Sequence, residues 1–247
     1  MAAVPRLAAA VSNAGALGMV TLTWSADTGA VVRETAALTA RPFGGNFVLT
    51  EDHHRHLDQA LDAGLRIVSF IWGDPSGYIK PVHDAGGVVM LTVGSAEKAR
   101  RVVASGVDVI VAQGWEAGGH VWGSVATLPL VPAVVDAVAP VPVIAAGGIG
   151  DARGVAAVLA LGAQAAWLGT RFLMAEEMPI HEDYRRRLIA AGWLPSGILY
   201  LHGPVYWSRP GIGSASAARQ EGAWKGSAKY WVSWVTRSSA HSMTLTA

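Results

Sequence analysis

The 247-residue chain has no cysteine, which excludes disulfides and thiol catalysis and fits a reducing compartment such as the cytoplasm. Charge is also scarce, at 15% of residues, and neither sign dominates. Nineteen basic against eighteen acidic residues leave a formal charge of +1, so nothing draws the chain to nucleic acid or to an acidic membrane surface. Small neutral or mildly anionic ligands remain. Long uninterrupted apolar runs are missing too: no window of about 20 residues lacks a charge, a proline or a glycine cluster, so neither a spanning helix nor a signal peptide is expected. The positive mean hydropathy comes mainly from Ala and Val. At 51% hydrophobic the chain can bury a large core, and one globular domain is expected.

Short β-branched runs alternate with Ala-rich segments of helical period. Strands are expected at "LGMVTL" (17–22), "FGGNFVL" (43–49), "RIVSFIW" (66–72), "GVVMLTV" (87–93), "VDVIVAQ" (107–113), "VPVIAAGG" (141–148) and "AAWLGTRF" (165–172). Helices are expected between them, over about 28–38, 51–63, 78–85, 96–104, 130–138 and 151–161. Apolar strands alternating with helices imply α/β architecture with a parallel sheet covered by helices. Seven such units are one short of a (β/α)8 TIM barrel. The absent strand is expected to be the first, because the chain opens on a helix from Pro5 into a turn at Gly15. A doubly wound open sheet is the other topology that periodicity allows.

In a barrel of this kind chemistry gathers in the loops after the strands' C-terminal ends, with phosphates at the last two. Those ends read "AAGGIGDARG" and "WLGTRF". Gly147 and Gly148 allow close backbone approach to an anion, a helix opening near Asp151 adds its positive end, and Gly169 and Thr170 supply an amide and a hydroxyl. Either motif alone reads as a tight βα turn; their spacing of one βα unit points to a shared phosphate clamp. The strand before them runs into "VAQGWEAGGHVWG", which puts Gln113, Glu116, Gly118, Gly119 and His120 on the same rim. His120 is the group in this stretch able to exchange a proton near neutral pH. Glu116 reads as an anchor pairing within the loop. Asn46 and Gln113 read equally as ligand contacts or as strand-end caps. Phe70, Trp72 and Trp122 are candidate linings of a small apolar pocket, with packing as the alternative.

Taken in order, "AQGWEAGGH", "PVIAAGGIGDARGVAAVLALGA" and "LGTRFLMAEE" resemble the nitronate monooxygenases, formerly called 2-nitropropane dioxygenases, which are FMN-dependent TIM-barrel enzymes. The segments "AAAVSNAGALG" and "RPFGGNFVL" extend the resemblance over roughly residues 5 to 191. It implies FMN contacts at Asn46, Gln113, Gly118, Gly148, Trp167, Leu168, Gly169 and Thr170, where family members often carry Gln in place of Trp167, and a catalytic base at His120. It implies a small-molecule substrate, a nitronate or nitroalkane, oxidised by O2 to a carbonyl compound and nitrite. The same motifs are similar to those of the flavin-type enoyl-acyl-carrier-protein reductases, so an FMN- and NAD(P)H-dependent reductase stands as the alternative, and an inactive fragment of either as a third. No metal is implied.

Two departures from the family pattern stand out. The family's opening strand, of the type "P-x-x-Q-A-P-M", has no counterpart, so residues 1–191 read as an incomplete FMN-binding barrel. From residue 192 the βα rhythm stops: five of the ten tryptophans and a single acidic residue, Glu221, fall in an atypical tail over 192–247. Reading a back-translated His202–Trp207 one nucleotide later yields Thr-Asp-Leu-Phe, a family-like segment. The tail is therefore expected to be frame-shifted or disordered.

Overall fold

The computed structural model describes residues 4–119 and 121–190. Its seven strands are β1 (Gly18–Thr21), β2 (Phe43–Val48), β3 (Ile67–Ile71), β4 (Val88–Val93), β5 (Val109–Gln113), β6 (Val143–Ala146) and β7 (Ala165–Trp167). All neighbours are parallel, and their order in the sheet is their order in the chain. A doubly wound sheet reverses direction at a switch point. Unbroken sequential order with right-handed crossovers instead puts every connecting helix on one face and curls the sheet around the other. The result is an α/β half-barrel whose edge strands among the described residues are β1 and β7.

The helices are α1 (Pro5–Asn13), α2 (Thr28–Leu38), α3 (His54–Asp62), α4 (Ser76–Asp84), α5 (Ala96–Val103), α6 (Thr127–Val138), α7 (Ala152–Ala160) and α8 (Glu182–Ala190). Among the described residues none is long and apolar enough to cross a membrane. Pro5 opens α1 at a position where the missing amide hydrogen costs nothing. The Asp27 side chain caps α2 by accepting from the Ala30 amide at 2.8 Å.

Strand alternation separates two cores. Val20, Phe47, Val68, Phe70, Leu91, Ile110 and Ala145 point outward into one large cluster with the helices, which contribute Leu57, Val82, Leu130 and Val134. Met90, Val111, Ile144 and Ala146 point the other way, into a cluster built of strand residues, with Ile67, Val109, Ala165 and Trp167 packed against it. This second cluster is the floor of the half-barrel's concave face.

Three sequence expectations need correction. The last strand stops at Trp167, and Thr170–Met174 form a 3-10 turn rather than its continuation. Helix α6 begins at Thr127, three residues before the expected start. Phe70 is fully buried among outward-facing residues, 6.0 Å from Phe47, so it is core and no part of a pocket. Helix α8 had no counterpart in the sequence reading. The expected irregular tail lies outside the described residues.

Candidate active site

Residues two apart on a strand share a face. In β2, Asn46 faces inward: it alternates with outward Phe47, and a Cβ on inward Gly44 would meet Met19 and Ile67. Asn46 sits in register with Thr21 on one side and Ser69 on the other. In β5, Gln113 follows inward Val109 and Val111 and pairs in register with Ala146, which pairs with Trp167. Asn46, Ser69, Gln113 and Trp167 therefore lie on one concave face, with Asn46 and Gln113 half-buried near its C-terminal rim. The Trp167 indole packs on the inner apolar floor.

Two polar atoms on this face are buried without a hydrogen-bond partner: Gln113 Oε1 and Ser69 Oγ. An unsatisfied buried polar atom costs about 1–3 kcal/mol, so two of them on one concave face mark it as a candidate binding surface. Sequence reasoning missed Ser69. Its signal was present, since β3 alternation places it on the face of Ile67 and Ile71, beside Asn46.

The β5–α6 loop is held at its root. Its first residue, Gly114, extends the ladder by donating to the Ala146 carbonyl at 2.9 Å, and the Trp115 amide closes the loop on the Val125 carbonyl at 2.9 Å. The Glu116 carboxylate accepts the Thr127 amide with both oxygens at 3.0 Å, while Thr127 Oγ1 lies 3.1 Å from Glu116 Oε2 and 2.9 Å from the Gly147 carbonyl. Glu116 is thus the anchor the sequence suggested. Its partner is the first residue of α6, whose orphan amides and positive end favour a carboxylate. Gly114 makes the contact possible: a Cβ there would stand 2.0 Å from Thr127 Oγ1 and 2.4 Å from Glu116 Oε2.

The same network reaches the β6–α7 loop, where the sequence suggests a phosphate site. Gly147 and Gly148 have φ of 101° and 69°, a backbone that side-chain-bearing residues rarely adopt. A Cβ on Gly148 would make ordinary van der Waals contact with Glu116 at 3.6 Å, whereas one on Gly169 would meet nothing within 4 Å, so among the described residues the space beside Gly169 is open. The positive end of α7 is less open than the sequence suggested. Asp151 Oδ1 accepts the Arg153 and Gly154 amides at 2.9 and 3.1 Å. The Asp151 carboxyl is held below its ordinary range by hydrogen bonds from the Arg153 side chain first and the Gly154 amide second. The loop before Asp151, with its left-handed glycines, is left as the part able to wrap an anion.

The remaining expected contacts divide. Gly118 is half-buried on the β5–α6 loop, Leu168 and Gly169 join β7 to the 3-10 turn, and Thr170 is that turn's first residue. The expected base, His120, lies outside the described residues. Trp72 and Trp122 meet at the rim with ring centroids 5.7 Å apart, a contact that fits both the pocket-lining and the packing readings. Trp24, Trp115 and Trp122 are all more than half exposed there, on the loops after β1 and β5.

A sequential parallel half-barrel with glycine turns and inward amides at its C-terminal rim has the architecture of part of a (β/α) barrel, a fold that gathers its sites at that end. The chain belongs to the nitronate monooxygenase family, whose model matches residues 1–56 and 50–194. It is 39% identical over 192 residues to a (3aS,4S,5R,7aS)-5-hydroxy-7a-methyl-1-oxo-octahydro-1H-indene-4-carboxyl-CoA dehydrogenase of Rhodococcus jostii (strain RHA1), covering 76% of this chain and 54% of that protein. FabK from Thermotoga maritima superposes with a TM-score of 0.72 at 39% identity, covering 75% of this chain and 60% of that one. A nitroalkane oxidase from Streptomyces ansochromogenes gives 0.69 at 31% identity, covering 75% and 67%. The chain thus spans about half the length of the curated relative.

Proposed function

We propose that this chain carries the FMN seat of an oxidoreductase that oxidises alkyl nitronates or nitroalkanes with O2 to a carbonyl compound and nitrite. The observation that carries the reading is the unpartnered Gln113 Oε1 on the same rim as the left-handed turn at Gly148 and the open turn at Gly169. These features fit a flat polar ring with a phosphate tail. Asn46 and Gln113 would hold the ring's polar edge, with Gly118 beneath the folded-back loop. Gly148 and the run Trp167, Leu168, Gly169 and Thr170 would hold the phosphate end. When bound, FMN supplies electron acceptance from the substrate carbanion, and dioxygen completes the oxidation.

This chain's own residues bind, orient and move the proton. His120 is the base, removing the α-proton of a nitroalkane, whose acidity lets an imidazole serve at neutral pH. Glu116 does no proton chemistry; it fixes the root of the loop whose sequence carries His120 by clamping the start of α6.

The resemblance of the motifs to the flavin-type enoyl-acyl-carrier-protein reductases, and the similarity to a dehydrogenase named for a coenzyme A-linked ring acid, favour one second reading, a nicotinamide-linked flavin enzyme acting on a thioester. One experiment separates them. The full chain is titrated with FMN and followed by absorbance, then assayed for nitrite release from a nitronate and for anaerobic bleaching by NADH or NADPH. FMN binding with nitrite release supports the first reading, and bleaching without nitrite supports the second. In the FMN-bound protein, His120→Asn is expected to lose about 10²-fold or more in turnover of neutral nitroalkanes and much less with preformed nitronate. Equal losses with both substrates refute the base assignment.

A further inference from the structure

Among the described residues, Trp72 is the one non-glycine residue with positive φ, at 66°. Such a backbone is unfavourable for a bulky side chain and persists only where the surroundings impose it. A turn that merely needed this conformation after β3 would take glycine, as the next position does with Gly73 at φ 54°. The chain puts its largest side chain there instead. The indole lies 5.7 Å from that of Trp122 at 44°, a tilted arrangement that aromatic pairs favour.

Trp122 is 54% exposed, so general burial does not hold it in place. The next residue reinforces the contact: a Cβ on Gly94, just after β4, would lie 2.5 Å from Gly123 Cα, so the two backbones touch. The returning arm of the β5–α6 loop is therefore pressed onto the ends of β3 and β4, whereas its outgoing arm is anchored by Glu116 to α6. His120 stands two residues before Trp122 in the sequence.

We propose that Trp72 is a positioning residue: its left-handed backbone turns the indole onto Trp122, and the pair latches the returning arm of the β5–α6 loop across the mouth of the half-barrel. What the arm delivers there rests on the functional reading above; the latch itself is open to test without turnover. Glycine at position 72 relieves the backbone strain and removes the ring, so it separates the two explanations of the unusual φ.

The test uses the full chain with Trp72→Gly, Trp72→Phe, Trp122→Ala and the Trp72→Gly/Trp122→Ala double variant. Hydrogen exchange is read at the Trp115 amide, which is bonded to Val125 at the loop's root, and at the Ile110 amide, which is bonded to Pro142 in the adjoining sheet. Far-ultraviolet circular dichroism reads the coupling of the two indoles. Trp72→Gly and Trp122→Ala are each expected to speed exchange at Trp115 by about tenfold or more while Ile110 stays unchanged. The double variant should be no faster than either alone, Trp72→Phe should stay near the parent rate, and the indole coupling should vanish in all four. Exchange at Trp115 that is unchanged in Trp72→Gly, or that rises only in step with Ile110 in both single variants, overturns the proposal. A latch that behaves as expected in a protein that releases no nitrite leaves the latch standing and removes only the functional reading.

Discussion

Replacing Glu116 by Ala removes a carboxylate whose two oxygens both face the Thr127 amide at 3.0 Å and one of which lies 3.1 Å from the Thr127 hydroxyl. Thr127 is only 6% exposed, so water cannot fully take over, and the amide is left short of an acceptor. Losing a charge-assisted bond to a shielded amide costs about 1–3 kcal/mol, and losing the negative charge at a helix N-terminus adds about 0.3–1 kcal/mol. A central value of about 2 kcal/mol lowers the melting temperature of a domain this size by roughly 4–8 °C. Thermal unfolding followed at 222 nm, with hydrogen exchange at Thr127, measures it. Glu116→Gln keeps one acceptor and should lose about half as much. A melting temperature unchanged within about 1 °C in Glu116→Ala refutes the anchor. So does a Glu116→Gln protein of parental stability that has lost turnover, because the carboxylate would then be acting in the chemistry.

Two further outcomes follow from burial and capping. Phe70→Ala should destabilise the chain by about 3–5 kcal/mol in urea unfolding, because the ring is fully buried against Phe47 and Tyr78; a loss under about 1 kcal/mol would return Phe70 to the pocket. Asp151 has a lowered pKa, so the stability it contributes is present above its ordinary 3.8 and is lost as pH falls through the lower folded value. Asp151→Asn should therefore flatten the fall of the melting temperature on acidification below about pH 4, and an unchanged acid profile would count against the cap.

The strands were legible because a buried parallel sheet leaves continuous β-branched runs, and six of the seven fell within two residues of their observed ends. The exception, the last, failed because "AAWLGTRF" stays apolar past Trp167 while its backbone turns. Periodicity also could not choose between barrel and doubly wound sheet, since both share one local pattern; strand order decides that, and it resides in contacts between units. The start of α6 was hidden for a related reason. Its N-cap position, Ala126, has no polar side chain to signal a cap, and the acceptor that does the work is Glu116, eleven residues upstream of Thr127. Glycine spacing exposed the rim loops directly, because positive φ at Gly147 and Gly148 is a local demand. Trp72 gave no such signal: a tryptophan ending an apolar run reads as strand, and only its backbone angle separates it from one.

Strand order that copies chain order also fixes how the molecule can be assembled. Among the described residues each strand from β2 onward pairs with the one made just before it, so none of these ladder contacts waits for a distant segment. A chain leaving the ribosome can dock each βα unit onto the last, as a stack grows from one end, and domains generally form in that N-to-C direction. Shortening the chain from its C-terminal side therefore removes whole units in sequence. The rim residues are lost in a fixed order: Thr170 first, then Gly148, then Gln113, with Asn46 last.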